Sequence, residues 1–406
     1  MLYILSKRLL VNISIKDYDF EVQESLGGLA TGLRSFYKGR DGRWIGWPGL
    51  STENQLDSIR TAIEKKLLKE NCTPVFVPDE DFRGYYNGFS NSTLWPLFHY
   101  FFQNAVYDGY FWESYKRVNQ IFANEVIKVA RSSDTIWIQD YHLMLLPSMI
   151  RKELPEAKIG FFLHTPFPSS EVYRLLPWRE ELLKGVLGAD LIGFHTYDYV
   201  RHFLSSVRRI VGYEHEYGHI KTRRNMVKID VFPIGIDFEK YAKSYENPDV
   251  LKARDIFKKP ENQKVILTID RLDYTKGIPN RLEAFERFLE KYSEWHGKVT
   301  LIMLSAPSRT DVKSYQDLKQ RVDKLVGSIN GKYGTISWTP VHYLYRSIPF
   351  EKIAALYHLA DICMVTPIRD GMNLVAKEFI ATRRDNQGML ILSETAGAAQ
   401  ELCEAL

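Results

Sequence analysis

Cysteine is scarce in this chain: of 406 residues only Cys72, Cys363 and Cys403 carry thiols, widely spaced and with no CxxC pair. A disulfide framework is excluded, and the three read as small hydrophobes in a reducing compartment. Long apolar runs are missing too. None approaches the ~18 residues of a membrane span. The N-terminal MLYILSKRLLVNI is a strand interrupted by Lys7 and Arg8, without the basic flank, apolar core and cleavage site of a signal peptide. A soluble, cytoplasmic protein with no membrane partner is expected. Charge excess is small, 54 basic against 50 acidic residues for a net +4. The densest basic cluster, Lys221 to Arg224, reads as a solvated loop, so no nucleic-acid partner is expected. Internal repeats and low-complexity tracts are absent.

Two motifs fall short of what they resemble. His215-Glu216-Tyr217-Gly218-His219 spells the zinc-protease HExxH, which needs both histidines on one face of a continuous helix. Gly212 and Gly218 bracket it, and glycine in a helix interior costs about 1 kcal/mol relative to alanine. A surface loop or hairpin is expected, with no metal ligands. Gly27-Gly28-Leu29-Ala30-Thr31-Gly32 follows a strand and opens a helix but is not GxGxxG. Its use is narrower: the bare Gly27 and Gly28 let backbone approach a ligand closely.

What the chain does have is alternation. With 45% apolar residues it can bury sizeable cores, and its length suits two domains of about 200 residues. Strand-like runs fall near 2–5, 74–77, 135–139, 158–163, 190–194 and 227–232, then at 264–269, 298–304, 335–340, 361–366 and 388–393. Helical patterns lie between, clearest at 111–131 and 197–210. This predicts an α/β chain with parallel sheets covered on both faces. Phe232-Pro233-Ile234-Gly235-Ile236 is the expected hinge, giving domains 1–234 and 235–406. A strand at 390–393 and a helix beginning at Gly397 close the chain.

Residues 361–378, DICMVTPIRDGMNLVAKE, carry the strongest functional signal. A short apolar strand meets the turn Arg369-Asp370-Gly371-Met372-Asn373, and a helix opens at Leu374. Such a turn aims backbone N–H groups and the positive helix end at whatever lies above, a ready diphosphate site. Asp370 sits past the strand's carboxyl end, where open α/β sheets bind ligands, and Glu378, one helical turn on, can reach a ribose hydroxyl. An ordinary βα turn with a solvated carboxylate is the alternative. A second segment, from Lys264, leads through Arg271, Asp273 and Lys276 to Gly277 and a helix whose Leu282, Phe285, Phe288 and Leu289 mark its buried face. Arg271 offers a planar fork and Lys276 a point charge, suited to adjacent phosphates. One basic and one acidic loop in one βα domain suggest a nucleotide-sugar site. Asp140 and His164 each end a first-half strand. Asp140 either accepts sugar hydroxyls or caps the next helix; His164 either contacts the transferred sugar or is a satisfied core residue. His142 and His195 read as structural.

With these residues in view, the chain resembles the trehalose-6-phosphate synthases, retaining glycosyltransferases of the GT-B fold (glycosyltransferase family 20). RLDYTKG at 271–277 and RDGMNLVAKE at 369–378 match the family's donor motifs. The resemblance continues in order through Ser6-Lys7-Arg8, Gly27-Gly28-Leu29, Trp44-Ile45-Gly46-Trp47, Tyr85 to Asn91 leading into Leu94-Trp95-Pro96, Trp137 to His142, Phe161 to Pro168, and Ser305 to Arg309.

The resemblance implies two facing Rossmann-like domains, the first binding acceptor and the second the nucleotide sugar. It implies glucose transfer from UDP-glucose to glucose 6-phosphate, giving trehalose 6-phosphate and UDP. Donor contacts are expected from Gly27, Gly28, Arg271, Lys276, Ile348 and the run Asp370, Gly371, Met372, Asn373, Leu374, Val375, Ala376, Lys377 and Glu378. Acceptor contacts are expected from Arg8, Tyr86, Trp95, Asp140 and Arg309, although Trp95-Pro96 is equally a core element. Arg271, Lys276, Asp370 and His164 would serve catalysis, through front-face substitution in which the leaving diphosphate helps deprotonate the acceptor. No cofactor and no essential metal are expected. Family members carry further sequence past this chain's last residue, including helices that cross back onto the first domain, so a truncated second domain is expected. Other nucleotide donors, glycerol 3-phosphate as acceptor, or a catalytically silent sugar-phosphate-binding module stay open, as does a homo-oligomer.

Overall fold

Runs such as TIWIQ, KIGFF and LIGF are too apolar to leave either face in water, and a parallel sheet between helices buries both. A computed structural model shows them so used. It describes residues 1–16, 19–24, 41–50, 57–257, 259–310 and 312–406. These form two units, Met1–Ile234 and Gly235–Leu406.

Unit 1 contains β1 (Leu2–Arg8), a hairpin of β2 (Val11–Lys16) and β3 (Asp19–Glu24), then β4 (Gly42–Trp47), β5 (Cys72–Pro74), β6 (Thr135–Gln139), β7 (Lys158–Phe162), β8 (Leu191–Phe194), β9 (His215–Glu216), β10 (His219–Lys221) and β11 (Met226–Val231). Its nine-stranded sheet runs β5-β4-β1-β6-β7-β8-β11-β10-β9. The first seven strands are parallel; β10 and β9 form an antiparallel edge, a departure from the all-parallel expectation. Chain order along the sheet reverses between β1 and β6, and an open sheet binds ligands above such a reversal. The helix Gly109–Val129 is started by Asp108, whose carboxylate accepts the Tyr110 N–H at 2.8 Å.

The expected strand at 74–77 lies instead at Cys72–Pro74, and the first strand runs on to Arg8 with its register broken between Leu5 and Arg8. Three strands went unread: β2, β3 and β4. In β4, GRWIGW, two glycines and an arginine break the apolar pattern. Gly46 is there for space, because a Cβ would stand 2.8 Å from the Arg8 carbonyl carbon and the Ser6 carbonyl oxygen. HExxH forms the β9–β10 hairpin, with both histidines exposed.

Unit 2 holds a five-stranded sheet, β14 (Val341–Leu344), β13 (Val299–Ala306), β12 (Lys264–Arg271), β15 (Ile362–Val365) and β16 (Met389–Leu392), in that spatial order and parallel throughout. Here the reversal falls between β12 and β15. The helix Ile278–Lys291 packs Ile278, Leu282, Phe285 and Leu289 into the core with Val322 and Ile329 of the helix Lys313–Tyr333. The strand expected at 335–340 is a tight turn, closed by reciprocal backbone bonds between Thr335 and Trp338. Its Pro340 has no N–H for a ladder, and pairing begins at Val341. Gly397–Gln400 is one 3₁₀ turn rather than the start of an α-helix.

These are two doubly wound α/β units, the Rossmann-like halves of a GT-B chain. Among the described residues no helix is long and apolar enough to cross a membrane.

Candidate active site

In unit 1, side chains gather where the order reverses. The end of β1 presents Lys7 and Arg8, and its shape is set from β4: the buried Trp44 donates its indole N–H to Ser6 Oγ (3.0 Å) and to the Arg8 carbonyl (3.1 Å). The Arg8 guanidinium stands 5.1 Å from the Trp47 ring centre, and Lys7 Nζ 3.7 Å from that of Tyr86. The rings form a pile. Trp47 stacks on Phe82 at 3.9 Å, Phe82 on Tyr86 at 5.3 Å, and Tyr86 on His142 at 5.9 Å; Tyr141 and then Trp95 follow. The π-helical segment Arg83–Leu94 and the turn Trp95–Phe98 supply Tyr86 and Trp95. Two cations on an aromatic wall suit a ligand with a phosphate and a sugar ring.

Asp140, at the exit of β6, has φ 72° and ψ 170°, a region essentially reserved for glycine that costs other residues about 1–3 kcal/mol. Its Oδ1 accepts the His164 N–H at 3.1 Å, and its Oδ2 is 3.9 Å from His142 Nδ1. It does not cap the turn that follows. The His164 Nε2 lies 2.9 Å from Gln139 Oε1; with that oxygen accepting, Nε2 carries the proton and Nδ1 is an acceptor. Burial, reinforced by the neighbouring His195, holds the His164 imidazole well below its usual value, hence neutral. Arg8, Tyr86, Trp95, Asp140 and His164 thus belong to one connected cluster of unit 1, in which Trp95 is itself buried. His142, read from sequence as structural, is the ring joining Tyr86 to Asp140. Gly27 and Gly28 lie outside the described residues.

Unit 2 laces its two loops together at its own reversal. Arg271 is exposed at the end of β12. Lys276 ion-pairs with Asp370, the two side chains being 12% and 13% exposed. Asp370 Oδ2 also accepts from Asn373 Nδ2 at 3.1 Å, while Asn373 Oδ1 caps the helix Leu374–Thr382 through the Val375 N–H at 3.1 Å. Gly277 turns the basic loop at φ 63°, where a Cβ would meet the Thr366 oxygen at 2.7 Å. The buried Arg281 ties the ends down, bonding Asp270 Oδ2 (2.8 Å), Thr366 Oγ1 (3.0 Å) and the Lys276 carbonyl (3.1 Å). From behind, the segment after β16 holds the acidic loop: the Gly397 N–H donates to the Asp370 carbonyl (3.1 Å) and the Ala398 N–H to that of Met372 (2.7 Å).

Other expected donor residues are placed as follows. Glu378 accepts the Tyr357 hydroxyl at 2.7 Å; burial raises its carboxyl, and hydrogen bonds from Tyr357 and Tyr241 pull it back. Gly371, Met372 and Ala376 are buried, and Lys377 pairs with Glu401 at 2.5 Å. Ile348 is half-buried in the loop ahead of the helix Phe350–Leu359. Arg309 belongs to unit 2 and is engaged there. It meets Asp273 Oδ2 at 2.7 Å and the Tyr315 hydroxyl, with only 5% of its own side chain and none of the aspartate's exposed. Sequence reasoning placed Asp273 in the basic loop without a role, and missed Lys7, Gln139, Arg281 and Tyr357. Lys7 and Gln139 had a signal, each adjoining a selected residue at a strand end; the other two act only through the fold.

Compared against known families, residues 2–406 match Glycosyltransferase family 20. The chain belongs to that family. Within it, the chain is 48% identical over 413 residues to an alpha,alpha-trehalose-phosphate synthase [UDP-forming] 2 of Aspergillus fumigatus, covering 99% of this chain and 85% of that one. It is 46% identical over 420 residues to a bifunctional trehalose-6-phosphate synthase/phosphatase of Thermoproteus tenax, all of this chain but only 56% of the relative's length. Two solved structures superpose on the whole chain with TM-score 0.86 and coverage of 87% of their own length. One is a Burkholderia xenovorans alpha,alpha-trehalose-phosphate synthase (UDP-forming) in complex with glucose-6-phosphate, 32% identical. The other, from E. coli, has UDP-2-fluoro glucose bound and is 34% identical.

Proposed function

We propose that this family 20 glycosyltransferase moves glucose from UDP-glucose to carbon 1 of glucose 6-phosphate, forming alpha,alpha-trehalose 6-phosphate and UDP with retention at the donor carbon. The observation that carries the reading is the near-complete match to synthases named for UDP formation. In the reaction the bond between glucosyl carbon 1 and the diphosphate oxygen breaks, and a bond to the acceptor's anomeric hydroxyl forms on the same face. That hydroxyl's proton passes to the departing phosphate oxygen. Retention by double displacement would need a carboxylate nucleophile. Asp370 is instead assigned to glucosyl hydroxyls, since Lys276 and Asn373 hold it, and Glu378 to the ribose.

Arg271, Lys276 and the amides at Leu374 and Val375 stabilise charge growing on the diphosphate, an electrostatic contribution. On unit 1 the acceptor's phosphate is assigned to Arg8 with Tyr86, its ring to Trp95, and sugar hydroxyls to Asp140 and the neutral His164. Arg309 keeps its assignment to the acceptor's phosphate. No essential metal enters this scheme. Three free cysteines, two of them buried, support a cytoplasmic location. The test is UDP release coupled to a spectroscopic readout. Release that depends on both UDP-glucose and glucose 6-phosphate is expected; no release, or equal rates with glycerol 3-phosphate or another nucleotide donor, would refute the assignment.

A further inference from the structure

Three helices of unit 2 converge on one carboxylate. Glu378 stands one turn into the helix Leu374–Thr382. Tyr357, fully buried on the helix Phe350–Leu359, donates its hydroxyl to Glu378 Oε2 at 2.7 Å. Tyr241, 6% exposed on the helix Phe238–Ala242, is the second phenol beside the same carboxylate. The Tyr357 ring is fixed edge-on against Phe379 (6.2 Å, 64°) and tilted against Tyr241 (6.5 Å, 55°), so neither phenol is a loose surface group.

We propose that Tyr357 and Tyr241 are positioning residues for the donor, holding the Glu378 carboxylate in the one orientation that accepts both vicinal hydroxyls of the nucleotide's ribose. This rests on the assignment of Glu378 to the ribose made above. The donor–acceptor inventory fits. An ionised carboxylate offers about four lone-pair sites; two phenols fill two, and the remaining two match a cis-diol. A glutamate in water samples many rotamers, whereas one bonded to Tyr357 and flanked by Tyr241 from another helix presents its remaining lone pairs in advance, the arrangement a binding shell needs. Burial raises both phenols well above the usual tyrosine value. They therefore stay protonated at working pH and meet the carboxylate as donors. Their hydrogen bonds also oppose the upward push that burial gives the Glu378 carboxyl.

The experiment pairs each phenol with the ligand's own hydroxyls. Binding of UDP and of 2′,3′-dideoxy-UDP to the full chain is measured by calorimetry for the wild type, Tyr357→Phe, Tyr241→Phe and Glu378→Gln. In the wild type, UDP should bind at least about tenfold tighter than the dideoxy analogue, as expected for hydrogen bonds to a charged group. Tyr357→Phe keeps the ring and its packing; it should weaken UDP about tenfold, leave dideoxy-UDP within about twofold, and so erase the discrimination. Tyr241→Phe, on a separate helix, should act in the same direction and stands in if Tyr357→Phe does not fold. A phenol serving only stability would weaken both ligands alike, and that result, or no change in either, overturns the inference while Glu378→Gln still lowers UDP affinity. If the wild type binds both ligands equally and Glu378→Gln changes nothing, the ribose assignment falls, and the inference with it.

Discussion

Removing the Arg309 guanidinium should cost stability before it costs anything else. The ion pair with Asp273 is sealed, the two side chains being 5% and 0% exposed, and stripping one partner from a buried pair costs about 3–5 kcal/mol because the other charge is stranded. Asp273 would keep three donors: the Thr275 N–H and Oγ1, both at 3.0 Å, and the Tyr315 hydroxyl at 2.9 Å. Arg309→Ala is therefore expected at the low end, about 3 kcal/mol. Asp273→Asn should cost a similar amount, for it leaves an arginine facing a neutral amide. The double variant should cost less than the sum of the two by about 1–3 kcal/mol, as expected of directly interacting residues. Urea unfolding of the full chain, followed through tryptophan fluorescence alongside circular dichroism, measures all three. A cost below about 1 kcal/mol for Arg309→Ala, the value of an exposed pair, would refute the sealed-pair account and return Arg309 to service as a cation held ready for a ligand. The same cycle guards against a misreading: a loss of acceptor affinity in Arg309→Ala identifies a contact only if unit 2 is intact.

Two other expectations follow from the loops and from His164. Alanine at Arg271 or Lys276 should lower kcat by about 10²–10³, the usual cost of losing a preorganised partner for developing charge; the loss should be larger at Lys276, which also anchors Asp370. Separate measurements of kcat and UDP affinity decide it, near-normal turnover with only a raised donor KM being the contrary result. Because burial depresses His164, the unfolded chain binds more protons than the folded one between the ordinary histidine value near 6.5 and the lower folded value. Stability should fall as pH drops through that window. His164→Gln should flatten the fall in urea midpoint between about pH 7.5 and 5.5, with His358, also depressed, acting in the same direction; an unchanged slope would show that His164 does not titrate as described.

The fold class was legible because each buried strand is a short, nearly unbroken apolar run. Legibility failed where sterics replaced burial as the rule. Gly46 in β4 is required by the backbone of β1, which no local pattern reveals, and residues 335–340 look β-like while Pro340 keeps them off the ladder. Motifs brought Lys276 and Asp370 into one site, yet their ion pair spans 94 positions and exists only because β12 and β15 are neighbours. Arg309 shows the same limit from the other side: its motif marks a function, while the aspartate that engages it sits 36 positions away in a loop read for other reasons. Glycines 27 and 28 are visible in sequence alone.

Asp140 has a consequence for anyone who selects this protein for endurance. Its φ of 72° and ψ of 170° suit a residue without a Cβ, so a library screened only for heat resistance should recover Asp140→Gly among its winners, relieved of about 1–3 kcal/mol of backbone strain. Such a winner would have lost the carboxylate that receives the His164 amide and that is assigned above to sugar hydroxyls. At this position survival in a heat screen and survival in a cell that needs the product reward opposite residues.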